Sequence, residues 1–148
     1  NSIPLIPIDS KDHEITDFPE CDYIIEISWR YIIPQNIINK ARRDAFGIHR
    51  GKLPEFAGAE PIKQALLKNE KIIVLSAHYL EKTIDTGQVI TSIEFPVDYN
   101  DEKNLETNIQ SIRDQITSLF SKLMLESGIW WHQVPAARVT ARVPIRAG

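Results

Sequence analysis

The chain has 148 residues, 43% hydrophobic and 25% charged, enough for one globular domain whose core needs neither disulfides nor a metal. Its formal net charge of -3 gives no argument for a bulk nucleic-acid or acidic-membrane partner, where a basic face is expected, though it is compatible with a local basic patch. No apolar run approaches the ~18 residues of a membrane span, no basic-then-apolar leader opens the chain, and the single cysteine, Cys21, excludes an intrachain disulfide and fits a reducing, cytoplasmic compartment.

In chain order, the first β-branched run is "IPLIPI" (3–8), which its two prolines reduce to an edge strand or an extended entry segment. "DYIIEISW" (22–29) reads as a buried strand. Cys21 beside it is expected to be structural, because apolar and acidic neighbours raise a thiol's pKa. "PQNIINKARR" (34–43) predicts a helix, with Pro34 suited to the first turn and a basic end suited to the dipole. "AFGIH" (45–49) is a weaker strand candidate, and "EPIKQALLKN" (60–69) predicts a helix burying Ile62, Ala65 and Leu66.

"KIIVLSAHYL" (71–80) and "GQVITSIEF" (87–95) are strands by composition and punctuation. The longest helix is expected over 104–128, where Leu105, Ile109, Ile112, Ile116, Leu119, Phe120, Leu123 and Met124 repeat at three and four. Asp101 or Asn104 is its cap and Gly128 its stop. The last twenty residues change character: Arg138, Arg142 and Arg146 appear without acidic partners, reading as an anion-binding arm or, the preferred option, a loosely packed tail. Trp130 and Trp131 fit a core edge or a partner surface. Residues 1–128 are therefore expected to be one core and 129–148 a tail.

Strands alternating with helices imply βαβ units and a mostly parallel, Rossmann-like α/β sheet, whose ligands bind beyond the carboxyl ends of the strands. His49 and the segment after residue 80 both fall there. No phosphate-binding glycine fingerprint is present, and His13, His49, His78 and His132 are too scattered to predict a metal site.

Two patterns are specific. His49, Leu53, Pro54 and Gly58 form His-x-x-x-Leu-Pro-x-x-x-Gly, and residues 84–87 read Ile-Asp-Thr-Gly. In this order, over residues 3 to 125, they resemble the folate-dependent formyltransferases that act on methionyl-tRNA, glycinamide ribonucleotide or nucleotide-sugar amines. The resemblance implies transfer of a formyl group from 10-formyltetrahydrofolate to an amine. A protonated amine cannot attack a carbonyl carbon, so a base must take its proton and return one to the leaving folate nitrogen. By the resemblance His49 is that base and Asp85 orients it. His78 supports the site or is simply a strand-end histidine. Trp29, Arg30, Tyr31 and Ile32 form one folate wall, and the backbone from Leu80 through Thr83 and Ile84 to Asp85 reads the pterin edge. For Trp29 and Tyr31 the alternative is core packing, and for Arg30 solvent exposure.

Two departures from the resemblance bear on activity. Gly47 stands where the family carries an asparagine that donates to the oxyanion, a loss of about a hundred- to a thousandfold for one such donor unless a water or backbone N–H substitutes; Gly47→Asn is the reverse test, in which increased activity would confirm the missing donor. Arg50-Gly51 replaces Pro-Ser, so Arg50 either binds a phosphate of the acceptor or is exposed and idle. The family's first strand and helix units are not found, so the chain is expected to be an N-terminally incomplete catalytic core. A nucleotide-linked amino sugar is the expected acceptor, and a homodimer the expected assembly if any forms. The competing expectation is a degenerate homologue that binds folate or a partner without catalysis.

Overall fold

Isoleucine-rich runs in this chain are short, β-branched and bounded by turn residues, and they pair as strands. The computed structural model describes residues 15, 18–29 and 31–126. Expectations for 3–8, for Arg30 and for the 129–148 tail lie outside these residues. The element order is β1 (Cys21–Ile27), α1 (Gln35–Ile38), β2 (Ala41–His49), α2 (Pro61–Leu67), β3 (Ile72–Tyr79), β4 (Val89–Pro96), α3 (Leu105–Thr117) and α4 (Phe120–Glu126).

The strands form one sheet in the order β1-β2-β3-β4. Helices flank it on both faces, as the α/β reading expects. Ile24 and Ala45 pack against Ile37 and Ile38 of α1. On the opposite face Ile48, Leu75 and Ala77 pack against Phe120, Leu123 and Met124 of α4, and Ile73 joins the cluster of α2 and α3. The parallel βαβ arrangement holds for β1-α1-β2, whereas β2/β3 and β3/β4 run antiparallel. For β3/β4 the reason is the connection: residues 80–88 carry no helix and are too short for a crossover, so the chain returns beside itself.

Two helix expectations change. Of the helix expected over 34–43 only one turn forms, with the Ile37 and Ile38 N–H groups bonded to the Pro34 carbonyl at 2.9 and 3.1 Å. The basic residues belong to β2 instead. Arg42 meets Glu20 at 3.3 Å, and Arg43 reaches the Tyr23 hydroxyl at 3.3 Å and lies 5.8 Å over its ring. Pairing with β1 outweighs local helix preference. The long C-terminal helix is interrupted at Ser118 and Leu119. Thr117 and Ser118 hydroxyls bond back to the carbonyls of Arg113 and Gln115 at 2.7 Å, the competition that weakens helix interiors. Of the two expected caps Asn104 serves, accepting from the Thr107 N–H at 2.8 Å. No helix among the described residues is long and apolar enough to cross a membrane.

Candidate active site

Strand periodicity builds the site. Glu26 pairs with Gly47, Gly47 with His78, and His49 with Ser76, so all five lie on the sheet face that α1 shares. The His49 and His78 rings meet edge to face, centroids 6.4 Å apart. Between them comes Asp85, delivered by the 80–88 connection in a left-handed conformation (φ 54°). Its Oδ2 lies 3.3 Å from His49 Nδ1 and its Oδ1 3.4 Å from His78 Nε2. The connection closes tightly on β3: a Cβ on Gly87 would run into the Tyr79 carbonyl.

The loop after β2 explains the spacing of the histidine motif. The chain turns through a cis Leu53–Pro54 bond and brings the Phe56 carbonyl back to His49 Nε2 at 2.7 Å. Two residues on, Gly58 at φ 85° points its N–H at Asp85 Oδ2, 2.8 Å away. Only glycine adopts that φ without strain. Ser76 Oγ ties the loop down by donating to the Gly51 carbonyl at 2.8 Å.

Carbonyls accept only, which fixes where protons sit. His49 donates from Nε2 to Phe56, leaving Nδ1 as the lone-pair nitrogen of the neutral ring, facing Asp85. His78 donates from Nδ1 to the Tyr79 carbonyl at 2.9 Å, leaving Nε2 facing the same carboxylate. Burial holds the His78 pKa below its usual value, against the opposing effects of the Tyr79 carbonyl and Asp85. Two lone-pair nitrogens around one carboxylate can take up a mobile proton and share it. His49 and Asp85 side chains keep 10% and 14% of their surface exposed, His78 only 3%. Of the three, His49 and Asp85 are the more accessible and His78 is the most deeply buried.

A further carboxyl belongs to this face. Glu26 accepts from the Trp29 N–H at Oε1, and its Oε2 lies over Gly47, where an added Cβ would come within 2.6 Å of it and 3.1 Å of Leu80 Cδ2. Burial pushes its pKa up to about 7, helped by Asp85 and opposed by the Trp29 N–H, Arg50 and the Ile48 N–H. Sequence reasoning passed over Glu26, though the signal was an acidic residue alone among isoleucines in "DYIIEISW". A side chain on Gly47 would have to displace the Glu26 carboxyl, which lies against that space.

The remaining candidates divide. Trp29 and Tyr31 pack edge to face at 5.4 Å, both half-buried, and Ile32 is 67% exposed. Leu80 packs against the α1 cluster, while Thr83 and Ile84 are exposed beside Asp85. Arg50 turns to the helix side, its guanidinium 4.8 Å over the Phe120 ring, its Nε buried without a hydrogen-bond partner among the described residues. Burial, followed by the nearby Arg113, lowers its pKa. Burial and then Asp22 raise that of Cys21. Among the described residues no group of three His, Cys, Asp or Glu side chains is placed to hold a metal ion.

Residues 9–123 match the Formyl transferase family. Methionyl-tRNA formyltransferase of Macrococcus caseolyticus is 26% identical over 105 residues, covering 71% of this chain and 32% of that protein. The chain thus spans about a third of the length of that relative. Glycinamide ribonucleotide transformylase 1 from Symbiobacterium toebii superposes with a TM-score of 0.63 at 19% identity, over 82% of this chain and 56% of its own, a likeness of fold. The formyltransferase PseJ from Anoxybacillus kamchatkensis, in complex with UDP-4,6-dideoxy-4-formamido-L-AltNAc and tetrahydrofolate, superposes with a TM-score of 0.58 at 25% identity, over 91% of this chain and 70% of its own.

Proposed function

The chain belongs to the Formyl transferase family, and from that premise we propose that it carries the proton-handling half of a site moving a formyl group from 10-formyltetrahydrofolate to an amine. The observation that carries the reading is the Asp85 carboxylate held 3.3 Å from His49 and 3.4 Å from His78. The attacking nitrogen must shed a proton as its bond to the formyl carbon forms. That proton enters at His49 and Asp85, is held between the rings, and returns to the folate nitrogen as the carbon–nitrogen bond breaks. Phe56 and Gly58 position His49 and Asp85 through main-chain bonds, so the geometry does not depend on a mobile side chain.

The acceptor proposed is a nucleotide-linked amino sugar. PseJ's complex supports it, and a net charge of -3 offers little to the phosphate backbone of a tRNA. The half-buried Trp29–Tyr31 pair and the exposed Ile32 and Ile84 supply apolar surface of the kind a flat pterin takes. The test is formyl transfer from 10-formyltetrahydrofolate to a panel of UDP- and dTDP-linked amino sugars, glycinamide ribonucleotide and methionyl-tRNA. Turnover confined to one or more amino sugars is expected. Turnover with only methionyl-tRNA or glycinamide ribonucleotide would remove the acceptor assignment. Tetrahydrofolate binding with no turnover on any acceptor would favour the non-catalytic homologue.

A further inference from the structure

Attack on a formyl carbon moves the carbonyl π pair onto oxygen, and that oxyanion needs a donor held in place beforehand. Most donors around Asp85 are already engaged within the protein. The Gly58 N–H serves Asp85, His49 Nε2 serves Phe56, His78 Nδ1 serves Tyr79, and the Ser76 hydroxyl serves Gly51.

Glu26 differs. Glu26, Gly47 and His78 form one row across β1, β2 and β3, and the middle member has no side chain. The Glu26 carboxyl therefore reaches across Gly47 toward the histidine side of the row, with Oε2 in the space a Cβ would take. The Trp29 N–H holds Oε1 and the Ile48 N–H also donates to this carboxyl, so a proton on it belongs on Oε2, the oxygen that lies over Gly47. We infer that Glu26 is a further catalytic residue of this site, donating from its protonated Oε2 to the formyl oxygen as that oxygen becomes negative.

The inference rests on the proposed formyl transfer. As the new nitrogen–carbon bond forms, the oxyanion receives the Oε2–H hydrogen bond and Glu26 keeps its proton. When the bond to the folate nitrogen breaks, the π bond re-forms and the nitrogen takes its proton from the His49–Asp85–His78 cluster. The groups bearing on Glu26 are the Trp29 N–H in its own turn, the Ile48 N–H on β2, Arg50 just beyond β2, and Asp85 from the 80–88 connection. Burial outweighs the three that favour the charged form, so the carboxyl keeps its proton up to about pH 7. Above that it becomes a carboxylate that repels the oxyanion.

The experiment is kcat against pH for wild type, Glu26→Gln and Glu26→Leu with the acceptor that turns over. Gln keeps an N–H donor toward Gly47 and an acceptor for Trp29, whereas Leu keeps neither. Expected are a wild-type kcat that declines as pH rises through about 7, and a Glu26→Gln rate that is reduced but free of that decline. Glu26→Leu should fall by about 10²- to 10³-fold in kcat and remain at least tenfold below Glu26→Gln. A Glu26→Gln profile that keeps the wild-type decline, or a Glu26→Gln rate as low as that of Glu26→Leu, would overturn the donor role while leaving formyl transfer intact. So would a Glu26→Leu variant with wild-type kcat. Wild type without turnover on any acceptor would overturn both readings together.

Discussion

Replacing Glu26 by glutamine changes the pH dependence of folding by an amount the structure sets. In the folded chain the carboxyl's pKa rises from 4.5 to about 7, chiefly through burial. The folded state therefore binds this proton more tightly than the unfolded chain does. The associated stability is fully present below pH 4.5 and is lost as pH rises through about 7. A shift of that size is worth about 3 kcal/mol at full effect, at ~1.4 kcal/mol per pKa unit. The glutamine side chain does not titrate, is nearly the same shape, and preserves the acceptor for the Trp29 N–H. Urea unfolding of both proteins at pH 4.5, 6 and 8 isolates the effect, because every other titrating group cancels in the difference. The two should be equally stable at the lowest pH, within a few tenths of a kcal/mol, and the variant should be more stable by about 2–3 kcal/mol at pH 8. Parallel stability curves, with a constant offset at all three pH values, would show that Glu26 is not buried as described and titrates normally.

Gly47→Asn should lower both stability and turnover, since its Cβ alone meets Glu26 Oε2 at 2.6 Å; thermal unfolding and kcat would show it, and a more active variant would contradict it. Gly87→Ala should displace the 80–88 connection from the Tyr79 carbonyl and carry Asp85 with it, cutting kcat/KM by about 10²-fold if the carboxylate moves by ~1 Å. Unchanged kcat/KM would mean that the connection does not position Asp85. Leu123→Ala, at a fully buried position of the cluster with Ile48, Leu75 and Ala77, should cost about 2–5 kcal/mol in urea unfolding without altering the pH profile of turnover. A cost below about 1 kcal/mol would mean that α4 is not packed on the sheet as described.

The strands were legible where composition is insistent: 22–29, 71–80 and 87–95 correspond to β1, β3 and β4 within about two residues. β2 was half-hidden because Arg42, Arg43 and Asp44 lie exposed at its start, and their pairing with β1 is a long-range fact that a local window does not contain. The interruption at Ser118 was hidden for the opposite reason. The apolar period runs straight through it, while the back-bonding of Thr117 and Ser118 breaks the backbone alone. Strand direction was misjudged for β3/β4 because residues 80–88 are too few to cross over, and for β2/β3 because a helix-bearing connection long enough to cross, residues 50–71, still returns antiparallel, which element alternation does not reveal.

The candidate site was legible through His49 and Asp85, which sequence patterns tie to loops, and the two side chains lie 3.3 Å apart. It also brings in His78 through a register no spacing rule gives. The Phe56 carbonyl and Gly58 N–H were invisible because main-chain groups leave no mark in a sequence beyond the glycine itself. Glu26 was visible but unread: its meaning depends on the neighbouring strand offering glycine at the paired position.

Turnover of Asp85→Asn tests most directly whether this carboxylate manages the proton. Asparagine tolerates the left-handed backbone at φ 54° and can still accept from Gly58, so the loop is preserved while the charge between the histidines is lost. In single-turnover formyl transfer to the preferred amine the variant should be slower by about 10²- to 10⁴-fold, with tetrahydrofolate affinity within about twofold of wild type. A variant that transfers the formyl group at the wild-type rate would contradict the role given to the His49–Asp85–His78 cluster.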